Sequence, residues 1–169
     1  MLAETDRQTA LVRRIEDKRD DLIALTQDLV RIPTLNPPGE CYRDICDFLG
    51  RRLRASDFEV ELIRAFDTPG DSDAYPRWNV IARREGTRPG DCVHFNSHTD
   101  VVEVGHGWTQ DPFGGALVDG KIYGRGACDM KGGLAASIIA AEAFLAVCPD
   151  FAGAVEISGT ADEESGGYG

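Results

Sequence analysis

The sequence is poor in the residues that build disulfide frameworks or cysteine-based metal knots. Cys41, Cys46, Cys92, Cys128 and Cys148 are an odd set of five without a C-x-x-C pair, which argues against both a disulfide scaffold and a structural zinc knuckle. Reduced, mostly buried thiols are the expectation. Basic residues are also scarce: 18 Lys and Arg against 29 Asp and Glu leave a net charge of −11. Such a field repels nucleic acid and anionic membrane surfaces, so neither is expected as a partner. No apolar run approaches the ~20 residues that cross a bilayer. The opening MLAETDRQTALVRRIEDKRDD is charged throughout and lacks the apolar segment of a secretory signal. A cytoplasmic protein is expected.

Common catalytic and nucleotide motifs are missing as well. Ser97 and Ser165 lie outside any G-x-S-x-G elbow. The stretch Gly124-Arg125-Gly126-Ala127-Cys128-Asp129 has an aspartate where a dinucleotide fingerprint needs its third glycine, and that carboxylate would repel a pyrophosphate. Lys131-Gly132 lacks the preceding glycine and the following Ser or Thr of a phosphate loop. Internal repeats and low-complexity segments are absent.

What remains, 169 residues of which 42% are hydrophobic, is enough for one core. Apolar residues from Thr9 to Arg31 recur at helical spacing (Leu11, Ile15, Leu22, Leu25, Leu29), and the helix should stop at Pro33. Asn36-Pro37-Pro38-Gly39 reads as a loop. A helix over 40–54 precedes a strand over 58–63, a polar loop over 67–77, and strands over 78–83 and 91–96. A short strand near Gly120–Gly124, a helix from Met130 to Cys148 and a strand over 154–160 complete the pattern. The expected fold is α/β, a mixed sheet flanked by helices.

Three loops that follow strands carry the chemistry: His98 with Asp100, then Asp129, then Glu163 with Glu164. One imidazole among several carboxylates, without thiolates, is ligand chemistry for zinc, cobalt or manganese in a hydrolytic centre. Taken singly, each residue has a plainer reading. A strand-end histidine is usually structural, Asp129 before a helix is a natural N-cap, and an acidic pair is usually a solvated turn. Their joint placement at the strand ends, where open α/β sheets put their sites, favours a metal centre. Asp100 lies two residues from His98 in extended chain, on the same side, and can orient the imidazole. Asp129 between glycine-rich flanks suggests a backbone that turns its carboxylate inward. His94 reads as a packed core histidine and His106 as exposed.

The segments His98-Thr99-Asp100, Trp108 to Phe113, Gly120 to Gly133 and Asp162-Glu163-Glu164, together with Asn36-Pro37-Pro38-Gly39, resemble the M20 metallopeptidase family. The resemblance is strongest to its acetylornithine deacetylase and succinyl-diaminopimelate desuccinylase branch. It implies a catalytic domain of zinc-exopeptidase type with two divalent metal ions, zinc or alternatively cobalt. His98 would bind one metal, Asp129 would bridge both and Glu164 would bind the other, with Glu163 as general base and Asp100 as orienting residue. A cis peptide between Asp129 and Met130 is implied too. The reaction would be hydrolysis of an N-acyl amino acid amide by a metal-activated water, with dipeptidase or carboxypeptidase action as the nearest alternative. Outside the resemblance stand a noncatalytic metal-binding module and an α/β domain holding magnesium or calcium. Residues 1–169 would be the N-terminal portion of the catalytic domain. The family's lid or dimerisation domain, a further acidic ligand and a late histidine do not occur in them. The isolated chain is therefore expected to bind metal weakly and turn over little, and a homodimer is expected only of a longer form.

Overall fold

The computed structural model describes residues 4–167. Two helices, α1 (Glu4–Glu16) and α2 (Arg19–Val30), replace the single helix expected over 9–31. The axis breaks at Asp17 and Lys18, where the Lys18 ammonium donates to Asp21 and Glu142, both at 2.9 Å. This break lets α1 lean on the later helix α4 while α2 buries Leu25, Leu29 and Val30. In α1 the expected apolar stripe stays at the surface, with Val12 and Ile15 exposed.

Helix α3 (Tyr42–Ala55) buries Ile45, Cys46, Leu49 and Leu53 along one side, the i, i+4 rows that helical periodicity dictates. Strands β1 (Glu59–Arg64), β2 (Trp78–Glu85) and β3 (Arg88–His98) follow in succession. A small hairpin, β4 (Ala116–Val118) with β5 (Lys121–Tyr123), comes next. Only its second strand was legible as a short run. Helix α4 (Gly132–Val147) and strand β6 (Ala152–Thr160) complete the unit.

The four long strands form one mixed sheet in the order β1-β2-β6-β3, parallel between β3 and β6 and antiparallel elsewhere. Parallel neighbours need a crossover, which the hairpin and α4 supply. One face presents Val60, Leu62, Val80, Ala82, Phe95 and Ile157 to α2, α3 and α4. Residues from Ala127 to Val147 form a 21-residue helical stretch with a hydropathy of 1.5, long and apolar enough to cross a membrane, contrary to the expectation that no such run exists. In this fold its apolar character serves the core: Leu134, Ala135, Ile138, Ile139, Ala141 and Ala143 are buried.

The opposite face of the sheet is polar. Register places Arg83, Glu156 and His94 side by side. Arg83 pairs with Glu156 at 3.0 Å, and His94 Nε2 lies 2.9 Å from Ser158 Oγ. His94 is therefore not a core residue: alternation puts it on the polar face, with its side chain 44% exposed. The thiols also depart from expectation, since Cys46 is buried but Cys92 and Cys128 are exposed.

Candidate metal centre

Parallel pairing brings the C-terminal ends of β3 and β6 to one edge, with His98 opposite Thr160 in the register. The loops leaving those ends therefore start side by side. One carries Asp100 and the other carries Asp162, Glu163 and Glu164. The third contribution comes from a single wide turn, Ala127–Lys131, at the head of α4. Within it Asp129 (φ −125°, ψ 101°) and Met130 (φ −131°, ψ 23°) leave helical geometry, and the Asp129–Met130 peptide is cis. Wide turns of this kind at a helix start re-aim side chains that a regular helix would point elsewhere.

His98 is buried, 6% exposed. Its Nδ1 lies 3.1 Å from the Asp100 carbonyl and 3.5 Å from Asp100 Oδ1, which fixes the ring and assigns a proton to that nitrogen. Nε2 is turned to the open side, 3.1 Å from Asp129 Oδ1 and 3.9 Å from Glu163 Oε2. Ligand atoms of His98, Asp129 and Glu164 all lie within 4.8 Å of one another. The carboxylates of Asp100 first, and of Asp129 next, raise the imidazole pKa to about 9. One nitrogen and two carboxylate oxygens, without sulfur, suit a divalent ion such as zinc or cobalt.

Asp100 is fully buried. Burial is the largest influence and pushes its pKa up, but His98, the Glu164 amide, Asn36 and the Glu163 amide together hold it below the usual range. Its carboxylate accepts the amides of Glu163 at 3.2 Å and Glu164 at 3.0 Å. One residue thus ties the imidazole of the first loop to the backbone of the third.

All five residues singled out in the sequence converge here, though not in the expected posture. Asp129 was expected to turn inward; its side chain stays 79% exposed and only its Oδ1 reaches His98. Glu163 is 62% exposed and Glu164 is also exposed, leaving their carboxylates open to solvent.

Sequence reasoning missed the buried frame behind these ligands. Asn36, Tyr42, Arg77 and Asp162 are all buried, and the first three each donate to the Asp162 carboxylate. Lys131 is likewise buried, its ammonium donating to the Ile32 carbonyl at 2.7 Å, and burial brings its pKa down to about 7. The available signal was the clustering of Asn36 and Arg77 with turn-forming glycines and prolines in otherwise polar loops.

Fold and site together define an α/β domain with an imidazole–carboxylate centre at the C-terminal edge of its parallel strand pair. Residues 94–169 match the profile of peptidase family M20/M25/M40. The succinyl-diaminopimelate desuccinylase of Methylobacterium radiotolerans is 42% identical over 147 residues, covering 86% of this chain and 35% of that protein. Among solved structures, the dipeptidase Dug1p of Saccharomyces cerevisiae superposes with a TM-score of 0.80 at 21% identity, covering 94% of this chain and 35% of that one. Human carnosine dipeptidase 1 gives 0.79 at 25% identity with the same two coverages. The chain thus resembles the M20 metallopeptidases over these segments, and it spans 35% of the length of the desuccinylase it matches.

Proposed function

We propose that this chain forms part of a metal-dependent hydrolase that cleaves the amide bond of N-acyl amino acids, with a succinyl group as the favoured acyl moiety. The observation that carries the proposal is the convergence of His98, Asp129 and Glu164 within 4.8 Å around a buried, oriented imidazole. The 42% identity to a succinyl-diaminopimelate desuccinylase supports the acyl class.

His98 Nε2 and the carboxylates of Asp129 and Glu164 would hold the divalent metal, zinc being favoured. When bound, such ions lower the pKa of a coordinated water and polarise the substrate carbonyl. The chain's own groups do the rest. Asp100 keeps the proton on His98 Nδ1 so that Nε2 offers its lone pair, as orienting carboxylates do for ligating imidazoles. Glu163, solvent-exposed and 3.9 Å from His98 Nε2, takes the proton of the attacking water and returns it to the departing amine. Its neighbour Glu164 faces the same site because Asp100 accepts both of their amides.

A magnesium or calcium site is disfavoured by the imidazole, since those ions take oxygen ligands. Dipeptide hydrolysis is the second reading, supported by the likeness to human carnosine dipeptidase 1 at 25% identity. The test is release of succinate from N-succinyl-diaminopimelate by the zinc-loaded protein carrying this chain, compared with hydrolysis of a plain dipeptide. Turnover of the succinyl substrate is expected. Turnover of the dipeptide alone would replace the first reading with the second.

A further inference from the structure

We propose that Arg77 is a positioning residue: through Asp162 it fixes the turn that presents Glu163 and Glu164. The turn's use as a metal and proton-transfer element rests on the function proposed above.

Arg77 and Asp162 form a buried ion pair, their side chains 4% and 1% exposed, with Nε donating to Oδ2 at 2.9 Å. The guanidinium also donates from Nη1 to the carbonyls of Pro38 at 2.7 Å and Tyr75 at 2.9 Å. Oδ1 of Asp162 accepts from Tyr42 at 2.9 Å and from Asn36 at 2.9 Å. The Tyr42 hydroxyl in turn accepts the Asp162 amide at 3.2 Å. The Asp162 carboxylate and amide are therefore bound to side chains from outside the turn: Arg77, Tyr42 at the start of α3, and Asn36.

Two further features show that the surroundings are shaped around the guanidinium. A Cβ at Gly39 would collide with Nη1 of Arg77, and one at Gly70 with Nη2. Both glycines have positive φ, 102° and 86°. The Asn36-Pro37-Pro38-Gly39 loop and the Thr68–Gly70 loop are thus bare where Arg77 passes. Asp162 itself sits in the left-handed region at φ 64°, a conformation that is unfavourable for a non-glycine residue. Its three side-chain partners offset that cost at the residue before Glu163.

A buried ion pair is an inefficient source of stability, because desolvation offsets much of the attraction. Geometry is the better explanation. Asp100 holds the amides of Glu163 and Glu164 from one side, and Arg77 with Tyr42 holds Asp162 from the other. The turn is clamped at both ends while the two carboxylates stay free.

The test uses Arg77→Met and Tyr42→Phe in the protein that carries this chain, with two readouts. The first is hydrogen exchange of individual amides in metal-free protein. The second is titration with cobalt(II) chloride alone. Arg77→Met should speed exchange at Glu163 and Glu164 at least tenfold and weaken cobalt binding at least tenfold, with exchange at Val80 and Ile157 in the sheet unchanged. Tyr42→Phe, which removes one hydroxyl and keeps the ring, should give the same local pattern at smaller amplitude, and it decides the matter if Arg77→Met does not fold. Unchanged exchange at Glu163 and Glu164, or an equal rise across the sheet, would overturn the proposal. Should the unsubstituted protein bind no cobalt, the metal reading falls, while the exchange pattern still decides the role of Arg77.

Discussion

His98 and Asp129, 31 residues apart in the chain, meet with Nε2 and Oδ1 separated by 3.1 Å. The wide turn at the head of α4 makes this contact, and with it the site. An aspartate in a regular helical turn would point along the helix surface and away from the strand end.

In the proposed function Glu163, an exposed carboxylate 3.9 Å from His98 Nε2, carries the proton transfer. Glu163→Gln should lower kcat by roughly 10²–10⁴, the usual contribution of a general base. Metal content should not change. Steady-state kinetics paired with metal analysis check this, and unaltered kcat in the variant would remove Glu163 from the reaction.

Asp100 joins the imidazole to the Glu163 and Glu164 amides. Asp100→Ala should weaken metal binding roughly 10–100-fold, as loss of orienting partners does elsewhere. It also leaves two amides without their acceptor, at about 1–3 kcal/mol of stability. Metal titration and urea unfolding of the same variant separate the two effects.

Leu134 and Ile138 lie on the buried side of α4, both fully enclosed. Either residue changed to alanine should cost about 2–5 kcal/mol, the range for emptying a packed core position. Chemical denaturation checks the value. A loss below 1 kcal/mol would mean that α4 does not carry the core.

Acid should loosen the helical layer through one cluster. Arg52, aided by Lys18, holds the Asp21 carboxyl down to about 2. At Glu142 burial is the largest influence and pushes the pKa up, but Arg52, Lys18 and Ser56 outweigh it and the net shift is downward. Acids with lowered folded pKa values stabilise above their unfolded pKa, and that contribution is lost as pH falls through the folded one. For Asp21 the window runs from its ordinary 3.8 down to about 2. Urea midpoints should fall across this range in the unsubstituted chain and fall less steeply in Glu142→Gln.

The fold was largely legible because its periodicities are strong. The α3 stripe through Ile45, Leu49 and Leu53, and the run of β6, depend on local spacing alone. The break at Lys18 was not legible, since it depends on Glu142, a partner 124 residues away. His94 was misplaced because alternation tells which residues share a face but not which face the helices cover. The five candidate site residues stood out by type and by position after strands. Their frame did not: Arg77 and Asp162 are 85 residues apart, and no local pattern links them. The exposure of Asp129 was equally hidden, because it follows from the geometry of a single turn.

The most direct measurement is a cobalt(II) titration of the protein carrying this chain, followed through its visible absorption. Saturable bands are expected in the unsubstituted protein and in Glu163→Gln, with at least tenfold weaker binding in His98→Ala, Asp129→Asn and Glu164→Gln. Equal binding in all five proteins, or none in the unsubstituted protein, would contradict a metal centre built on His98, Asp129 and Glu164.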